Sequence, residues 1–398
     1  MAWDHSNIQQ DVICSRELGL IRQSHVRTLV HDERLDSLRI LHKHPLENAT
    51  AAVSCMDIDR VENSFLLCGG ISGGIYLSNL LVSDLFGGER REKFTLPASF
   101  SHKHFVSSCQ WYRDIRLFVS ASSSGELTAW DLTSLCALES HSVCHSGKWR
   151  PQLHWNEVAK TNPLIAITNG SNNVPLYDLR VGGLAQEVRC AKGNVVRAVR
   201  WLPSKHHILF TGNNSGIISI WDIRSNRRSL SSTVTRDNDS VRGIRMTSDG
   251  YYLVAVLYTG SVILYDAVTM EELANYGFRD RRKWTEKMSN ALEHFAIADE
   301  GSAVRVALPV GDDIHWVRFS KGLRQEPRVA PVSTLSAHLS RVNACVYRHG
   351  SQQVKLYTAG ADRNVLCWAP ESERTRLHLE AETAKKFAVM NDDWSDDD

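Results

Sequence analysis

The chain has 398 residues, and its 46 lysines and arginines nearly balance its 45 aspartates and glutamates, for a formal net charge of +1. This balance argues against a molecule built as a whole to bind polyanions. No apolar run approaches the length of about 18 residues that a membrane-spanning helix needs. The polar start MAWDHSNIQQD also lacks the layout of a signal peptide.

The nine cysteines are scattered along the chain, and no two of them form a C-x-x-C motif. Most lie in apolar, strand-like runs, where a free thiol behaves as a small hydrophobic group. The spacing therefore predicts neither a disulfide framework nor a zinc site. Free thiols indicate a reducing compartment, the cytosol or the nucleus.

The first predicted element is a helix–loop–helix over residues 1–28. Ile8, Val12 and Leu20 fall near helical spacing, and Gly19 offers a break between two helices. Such a segment would present an apolar stripe to a groove on another protein. The alternative is that it folds back onto the domain that follows.

Residues 29–370 repeat one layout, in which three short strands follow a polar turn and the third strand ends in an aromatic residue, usually with aspartate after it. The clearest copies are 104–131, 193–222, 240–266 and 337–368. The closing aromatics are Tyr76, Trp130, Tyr177, Trp221, Tyr265, Trp316 and Trp368. The repeat unit is about 40–45 residues with loop insertions, which resembles the WD40 family of β-propellers.

The predicted fold is therefore all-β, a seven-bladed WD40 propeller with a short N-terminal helical segment and a disordered acidic tail. A ring of seven closes without long unpaired strand edges. The sixth blade, around residues 292–319, is expected to be the least regular.

The last blade carries a structural group of polar residues. His338, Thr358, Asp362 and Trp368 stand where the hydrogen-bonded tetrad of the WD40 family falls. The turns at 124–126 and 215–217 lack the aspartate of this pattern, so several other blades are expected to be held mainly by apolar packing.

The chain carries no motif that predicts catalysis, a metal or a cofactor. GGISGG at 69–74 precedes another strand, so it is predicted to be a hairpin turn rather than a phosphate loop or a nucleophile elbow. The histidines form neither H-E-x-x-H nor a His–Cys ligand set.

The sequence RDRRKW at 279–284 is the strongest basic cluster. Its Arg279, Arg281, Arg282 and Lys283 could contact a phosphate backbone, which would make the protein a nucleic-acid binder. The alternative is a solvated loop that leads into the sixth blade.

Two neighbouring repeats end in Asp-x-Arg: Asp178 with Arg180, and Asp222 with Arg224. Equivalent strand ends lie on one face of a propeller, so the two arginines are expected one blade apart. Two guanidiniums on a rigid rim suit bidentate contacts to a partner. The alternative is that each arginine only pairs with its own aspartate.

Residues 371–398 end in NDDWSDDD, in which five of eight residues are acidic. This composition predicts a disordered tail, and Ser395 among the aspartates is a candidate phosphorylation site.

These features resemble the WD40 substrate receptors of cullin-4-type RING ubiquitin ligases. The match is carried by Tyr177-Asp178-Leu179-Arg180 and Trp221-Asp222-Ile223-Arg224, together with the helical start. Within that group the chain most resembles the Cockayne syndrome group A family. The stretches concerned are SSCQWY at 107–112, MTSDG at 246–250, LANYG at 273–277 and LYTAGADRNVLCWAP at 356–370.

The resemblance implies a non-catalytic receptor subunit that acts in the nucleus in transcription-coupled nucleotide excision repair. It implies that Arg180, Arg224, Asp178, Asp222, Ile8, Val12 and Leu20 contact the damaged-DNA-binding adaptor, and through it the cullin and RING subunit. The implied clients are stalled RNA polymerase II and the Cockayne syndrome group B type repair ATPase. The alternative function is a WD40 interaction scaffold in chromatin or RNA processing without a ligase link.

Overall fold

The structure is a computed structural model. It describes residues 22–45, 52–80, 93–95, 100–112, 116–134, 136–143, 149–156, 164–190, 193–225, 228–235, 238–277, 293–321, 329–349, 354–373 and 375–376. In this part of the chain no helix is long and apolar enough to cross a membrane.

Seven four-stranded antiparallel sheets form the body of the protein. Helix α1 (Gln23–Asp36) and strand β1 (Leu38–Pro45) come first in the chain. Each following group of strands forms a meander, because successive strands are joined by short turns that pair neighbours. The prediction of a seven-bladed β-propeller is confirmed.

The blades are numbered in chain order, and their strands are as follows. Blade 1 contains β2 (Val53–Ile58), β3 (Phe65–Gly70), β4 (Ile75–Asn79) and β5 (Lys93–Thr95); blade 2 contains β6 (Val106–Trp111), β7 (Leu117–Ser122), β8 (Glu126–Asp131) and β9 (Cys136–Ser142). Blade 3 contains β10 (Leu153–Trp155), β11 (Leu164–Ile167), β12 (Asn173–Asp178) and β13 (Gly183–Arg189); blade 4 contains β14 (Val196–Trp201), β15 (Ile208–Asn213), β16 (Ile217–Asp222) and β17 (Ser231–Val234). Blade 5 contains β18 (Val241–Met246), β19 (Tyr252–Leu257), β20 (Val262–Asp266) and β21 (Glu272–Tyr276); blade 6 contains β22 (Ala296–Ala298), β23 (Ala303–Val310), β24 (Asp313–Ser320) and β25 (Val329–Ser336). Blade 7 contains β26 (Val342–Arg348), β27 (Lys355–Gly360) and β28 (Asn364–Pro370), and a one-turn 3₁₀ helix follows β16 at Ile223–Ser225.

The core of the protein is divided among the interfaces between blades. Seven apolar clusters each join two neighbouring sheets, and together they run round the whole ring. Because every sheet buries both faces against its neighbours, the strands read as dense apolar runs rather than as simple alternation.

Strand β1 closes the ring. It pairs antiparallel with β28, from Leu38 opposite Pro370 to Pro45 opposite Asn364, and so becomes the outer strand of blade 7. The N-terminal and C-terminal parts of the chain therefore share one sheet. Without β1, the outer edge of β28 would be unpaired.

Helix α1 packs against the face of the propeller at which the first and third strands of each blade end, which we call the bottom face. Its Leu35 is buried among residues of blades 6 and 7. The carboxylate of Asp32 is bonded to the fully buried Arg305 of blade 6, with Oδ1 2.6 Å from Nη1. The predicted boundary between helical segment and propeller at 28/29 is therefore wrong, because the helix runs to Asp36 and is held by these contacts.

The predicted start of the disordered tail at residue 371 also has to be moved. Residues 371–373 are helical, and the Glu373 carboxylate is buried 3.7 Å from Nζ of the buried Lys355. A carboxylate that neutralises a buried lysine belongs to the folded body. Residues 377–398, including Ser395, lie outside the described residues.

The polar tetrad predicted in blade 7 is present. His338 Nδ1 lies 3.0 Å from Asp362 Oδ2, and its Nε2 lies 2.9 Å from Thr358 Oγ1. The Trp368 indole N–H donates to the same hydroxyl at 2.9 Å. Each buried polar group thus has a partner, which removes the cost of burying it.

Blade 2 contains a similar series of hydrogen-bonded side chains, which was not predicted from the sequence. His102 Nε2 lies 2.6 Å from Ser120 Oγ, and the Trp130 indole N–H donates to that oxygen at 2.7 Å. Glu126 takes the place of the turn aspartate, with Oε2 3.4 Å from His102 Nδ1. The expectation that this blade relies on apolar packing is therefore wrong, because a glutamate one residue beyond the turn reaches the histidine.

Blade 6 is more regular than predicted. Its β23 and β24 pair over eight residues, from Ala303 opposite Ser320 to Val310 opposite Asp313. The indole nitrogen of Trp316 has no hydrogen-bond partner among the described residues, so Trp316 takes part in no tetrad of the kind seen in blade 7. Continuous burial of β23 provides the stabilisation instead.

Two smaller predictions can be compared with the fold. GGISGG forms the hairpin turn between β3 and β4, in which the Gly70 N–H donates to Gly74 O at 2.8 Å, as predicted. The cysteines that the structure describes are free thiols, and of these Cys136 is exposed.

Replacing Thr358 by valine is expected to lower the free energy of unfolding by about 2 kcal/mol. The substitution keeps the shape of the side chain but removes the hydroxyl shared by His338 and Trp368. Urea unfolding followed by tryptophan fluorescence measures the loss. The matched control is Thr133→Val, at an exposed position. Equal unfolding midpoints for the two variants would contradict the prediction.

Candidate functional site

In each of blades 2 to 5, an aspartate ends the third strand and has the same structural role. Its Oδ1 accepts the backbone N–H of the residue two positions on, which closes a tight turn. The pairs are Asp131 with Thr133 at 2.8 Å, Asp178 with Arg180 at 2.9 Å, Asp222 with Arg224 at 2.9 Å, and Asp266 with Val268 at 2.8 Å. The aspartate therefore shapes the turn, and the residue two positions later is the one that varies on the bottom rim.

Arg180 and Arg224 occupy this variable position, and both pair with their own aspartates. Arg180 Nη2 lies 2.7 Å from Asp178 Oδ2 and its Nε lies 3.1 Å from Oδ1. Arg224 makes the same bidentate contact to Asp222, at 2.7 and 3.0 Å. Hydrogen bonding to Arg224 lowers the pKa of Asp222 to about 2, so this carboxylate stays ionised at any physiological pH.

These pairs orient the two guanidiniums without covering them. The side chains of Arg180 and Arg224 remain 51% and 66% exposed. Exposed ion pairs add little to stability. What they provide here is a fixed orientation, which reduces the entropy lost when a partner binds. The Gln186 side chain joins the two blades by donating to Ile223 O at 2.7 Å.

Exposed apolar side chains surround the two arginines on the bottom rim. The residues concerned lie at the ends of the third and fourth strands of blades 2 to 5, and they are Leu138, Val181, Leu184, Leu230 and Val268. Val181 and Val268 are 78% and 75% exposed. A rim that combines oriented arginines with apolar residues has the composition of a protein-binding surface. These residues were not predicted from the sequence, because an exposed valine and a buried one look alike in a strand-rich repeat.

Helix α1 adds a second apolar strip to the bottom face, across the ring from the arginines. Leu29 and Val30 are 37% and 44% exposed, and Val26 precedes them by one helical turn. Residues three and four positions apart lie on one side of a helix. Leu29 lies beside Asp32, three residues away, and Val26 and Val30 lie farther round the helix, so among the described residues α1 presents a partly exposed apolar strip next to its buried side.

Between these two surfaces, the mouth of the central channel holds a cavity of about 270 Å³. Three arginines from different blades line it: Arg60, Arg200 and Arg245. Burial, and then the nearby Arg200, Arg60 and Arg245, hold the pKa of His154 well below its ordinary value, so this histidine is neutral. The cavity lining therefore sets three arginines against the one carboxylate of Asp57, and its net positive charge suits an acidic partner surface.

Some predicted site residues cannot be compared with the structure. Ile8, Val12 and Leu20 lie outside the described residues, as do Arg279, Arg281, Arg282 and Lys283. Among the described residues, no group of three or more His, Cys, Asp or Glu side chains could hold a metal ion.

The fold and the repeated strand ends define a WD40-repeat protein with a seven-bladed propeller, a scaffold for binding other molecules. Residues 329–369 match the WD domain, G-beta repeat family. WD repeat-containing protein ATCSA-1 of Arabidopsis thaliana is 23% identical over 97% of this chain and 100% of its own length.

Two further relatives are similar over parts of the chain. Ribosome biogenesis protein YTM1 of Saccharomyces cerevisiae is 27% identical over a segment that covers 31% of this chain and 26% of YTM1. Protein transport protein SEC31 of Kluyveromyces lactis is 28% identical over 47% of this chain and 15% of its own length.

Proposed function

We propose that this protein is the substrate-recognition subunit of a cullin-4-type RING ubiquitin ligase that acts in transcription-coupled nucleotide excision repair. The observation that carries the proposal is the pair of bottom-rim arginines, Arg180 and Arg224, one blade apart and each oriented by a bidentate contact to its own aspartate. The Asp-x-Arg motif at two adjacent strand ends resembles that of receptors which bind the damaged-DNA-binding adaptor.

In this proposal the bottom face is the adaptor-binding surface. The two guanidiniums bind carboxylates or carbonyl oxygens of the adaptor, and the apolar rim residues exclude water around them. The exposed strip of α1 docks on a second part of the same partner. Ile8, Val12 and Leu20 are proposed to extend that contact from the N-terminal segment.

The proposed mechanism is positioning rather than chemistry. The adaptor links the receptor to the cullin and the RING subunit, and the opposite, top face holds a client so that its lysines reach the charged ubiquitin-conjugating enzyme. Such an arrangement acts through effective concentration and orientation. The proposed clients are stalled RNA polymerase II and the group B type repair ATPase, which places the protein in the nucleus.

Replacing both Arg180 and Arg224 by alanine is expected to weaken binding to the purified adaptor by at least about tenfold. Binding is measured by calorimetry with the full-length chain. The turn should survive, because the backbone N–H groups still donate to Asp178 and Asp222. Circular dichroism and thermal unfolding check that the fold is intact.

The matched control is Arg189→Ala, an exposed arginine at the other end of blade 3. It should bind the adaptor as the unchanged protein does. If the unchanged protein fails to bind, or the double variant binds equally well, the two arginines serve only the turns of their own blades and the receptor proposal is wrong.

A second candidate is a WD40 scaffold without a ligase link, in chromatin or RNA processing. The partial similarity to YTM1, whose name assigns it to ribosome biogenesis, favours this candidate. Affinity purification of the chain from nuclear extract distinguishes the two. Recovery of pre-ribosomal particles without the adaptor would support the scaffold.

A further inference from the structure

At the top mouth of the central channel, the second residue of the first strand has the same place in several blades but a different identity. In blades 1, 2, 4, 5 and 7 the first strand begins with valine, and the ladder register shifts at the residue after it. In blades 1, 2 and 7 this residue is short and bonds the next blade: Ser54 Oγ to Val106 O at 2.6 Å, Ser107 Oγ to Pro151 O at 2.8 Å, and Asn343 Nδ2 to Val53 O at 2.7 Å. In blades 4 and 5 it is Arg197 and Arg242.

These two arginines and Arg150, just before the first strand of blade 3, are held on aromatic rings. The guanidinium carbon of Arg150 lies 4.6 Å from the ring centre of Phe105, that of Arg197 lies 5.2 Å from Trp149, and that of Arg242 lies 4.5 Å from Tyr258. Stacking on a ring fixes the plane of a guanidinium and leaves its edge N–H groups available.

The three arginines come from three consecutive blades and have no carboxylate within ion-pair distance in the part of the chain that the structure describes. Burial lowers the pKa of Arg150 and of Arg197. The charge of Glu293 acts in the opposite direction on both, and nearby arginines (Arg341 and Arg242 for Arg150, Arg242 for Arg197) lower the pKa further. Positive charge is therefore concentrated at one point of the top face, without compensation by an ion pair.

One acidic side chain, Glu293, lies near this cluster, just before the first strand of blade 6. Burial raises its pKa to about 7, although Arg242, Arg150 and Arg197 act in the opposite direction. Glu293 is thus only partly ionised near neutral pH and does not neutralise three guanidiniums. A ligand with two negative charges would supply most of the missing negative charge.

We propose that Arg150, Arg197 and Arg242 form a binding site for the phosphoryl group of a phosphorylated serine or threonine on a partner protein. The three guanidiniums face one region from three blades, which suits the three acceptor oxygens of a phosphate better than the two of a carboxylate. Among the described residues a nucleic acid is a poorer fit, because the basic groups meet at one point and a phosphate backbone needs a stripe of them. The identification of this partner as a client of the ligase rests on the proposed function. The binding of a phosphorylated protein does not.

The test measures fluorescence anisotropy with the full-length chain at about pH 7, where the phosphoryl group is mostly a dianion and Glu293 is only partly ionised. The probe is a fluorescein-labelled peptide of about twelve glycine, alanine and serine residues with one central phosphoserine. The same peptide with serine or glutamate at the centre serves for comparison. The phosphopeptide is expected to bind at least about tenfold more tightly than either.

Arg197→Gln/Arg242→Gln should reduce phosphopeptide binding at least about tenfold, because two of the three donors lose their charge. Glu293→Gln should tighten it several-fold, because a competing carboxylate is removed. Arg189→Gln on an outer strand and Arg180→Ala/Arg224→Ala on the bottom rim should leave it unchanged. Circular dichroism and thermal unfolding should show that the Arg197/Arg242 variant is folded. Its adaptor binding, measured separately, should be unchanged, so failure of this site and failure of the receptor proposal give different results.

Three results would overturn the inference. Phosphorylated and unphosphorylated peptides could bind equally, or the folded Arg197/Arg242 variant could bind as the unchanged protein does. A labelled oligothymidylate could also bind more tightly than the phosphopeptide with the same dependence on the two arginines. The site would then belong to a nucleic acid.

Discussion

Replacing Asp32 by alanine is expected to lower the free energy of unfolding by about 3–5 kcal/mol, because it leaves a buried guanidinium without its principal partner. The side chain of Arg305 is 0% exposed, with Asp32 Oδ1 2.6 Å from Nη1 and Asp36 Oδ1 3.1 Å from Nη2. Ser302 donates to Asp32 from both its N–H and its hydroxyl. The loss therefore affects both α1 and blade 6.

The measurement is urea unfolding of the full-length chain, with Asp36→Ala as the matched control. Asp36 is 34% exposed, so water replaces it more easily and its loss should cost less. Asp32→Leu/Arg305→Met removes both charges and should recover much of the stability. If Asp32→Ala unfolds at the same urea concentration as Asp36→Ala, the ion pair does not fasten the helix.

The same contact predicts a dependence on pH. Burial opposes ionisation of Asp32, but the hydrogen bonds from Ser302 and Arg305 and the charge of Arg305 outweigh it and hold the pKa below its ordinary value. A carboxyl whose pKa is lower in the folded state stabilises the protein above the ordinary carboxyl pKa. This contribution is lost as the pH falls through the lowered pKa, and the loss should be absent in Asp32→Leu/Arg305→Met.

Removing residues 1–45 is expected to leave most of the protein insoluble, because it deletes the strand that closes the ring. β1 covers the outer edge of β28 along its full length, from Pro370 to Asn364. Residues Val365, Leu366, Cys367 and Trp368 on that strand are buried. An exposed edge of this composition pairs with other chains and aggregates.

The comparison is between chains 46–398 and 22–398, by soluble yield and size-exclusion chromatography. The longer chain retains α1 and β1 and should be monomeric and folded. Co-expression of residues 22–45 should restore solubility to the shorter chain by supplying the missing strand. A soluble, monomeric 46–398 chain with an unchanged melting temperature would show that closure does not depend on β1.

The bottom rim shows how one motif can serve structure and recognition together. The sequence posed two alternatives for Arg180 and Arg224, a partner contact or a pair with the preceding aspartate. The geometry establishes the pair, and the exposure of both side chains leaves them open to a partner as well. A bidentate contact uses one edge of a guanidinium and leaves others for binding.

The sequence alone determined the repeat, five of the seven closing aromatics and the tetrad of blade 7. These are local properties, since a blade is a meander whose strands, turns and polar network arise within about 40 residues. The other two predicted closing aromatics, Tyr76 and Trp316, lie inside their strands rather than at the ends. Only the tertiary structure decided that Asp32 binds Arg305, that β1 completes blade 7, and that Arg150, Arg197 and Arg242 all lie near Glu293. Those contacts join residues far apart in the chain, and they exist only because closing the ring brings separate blades to one axis.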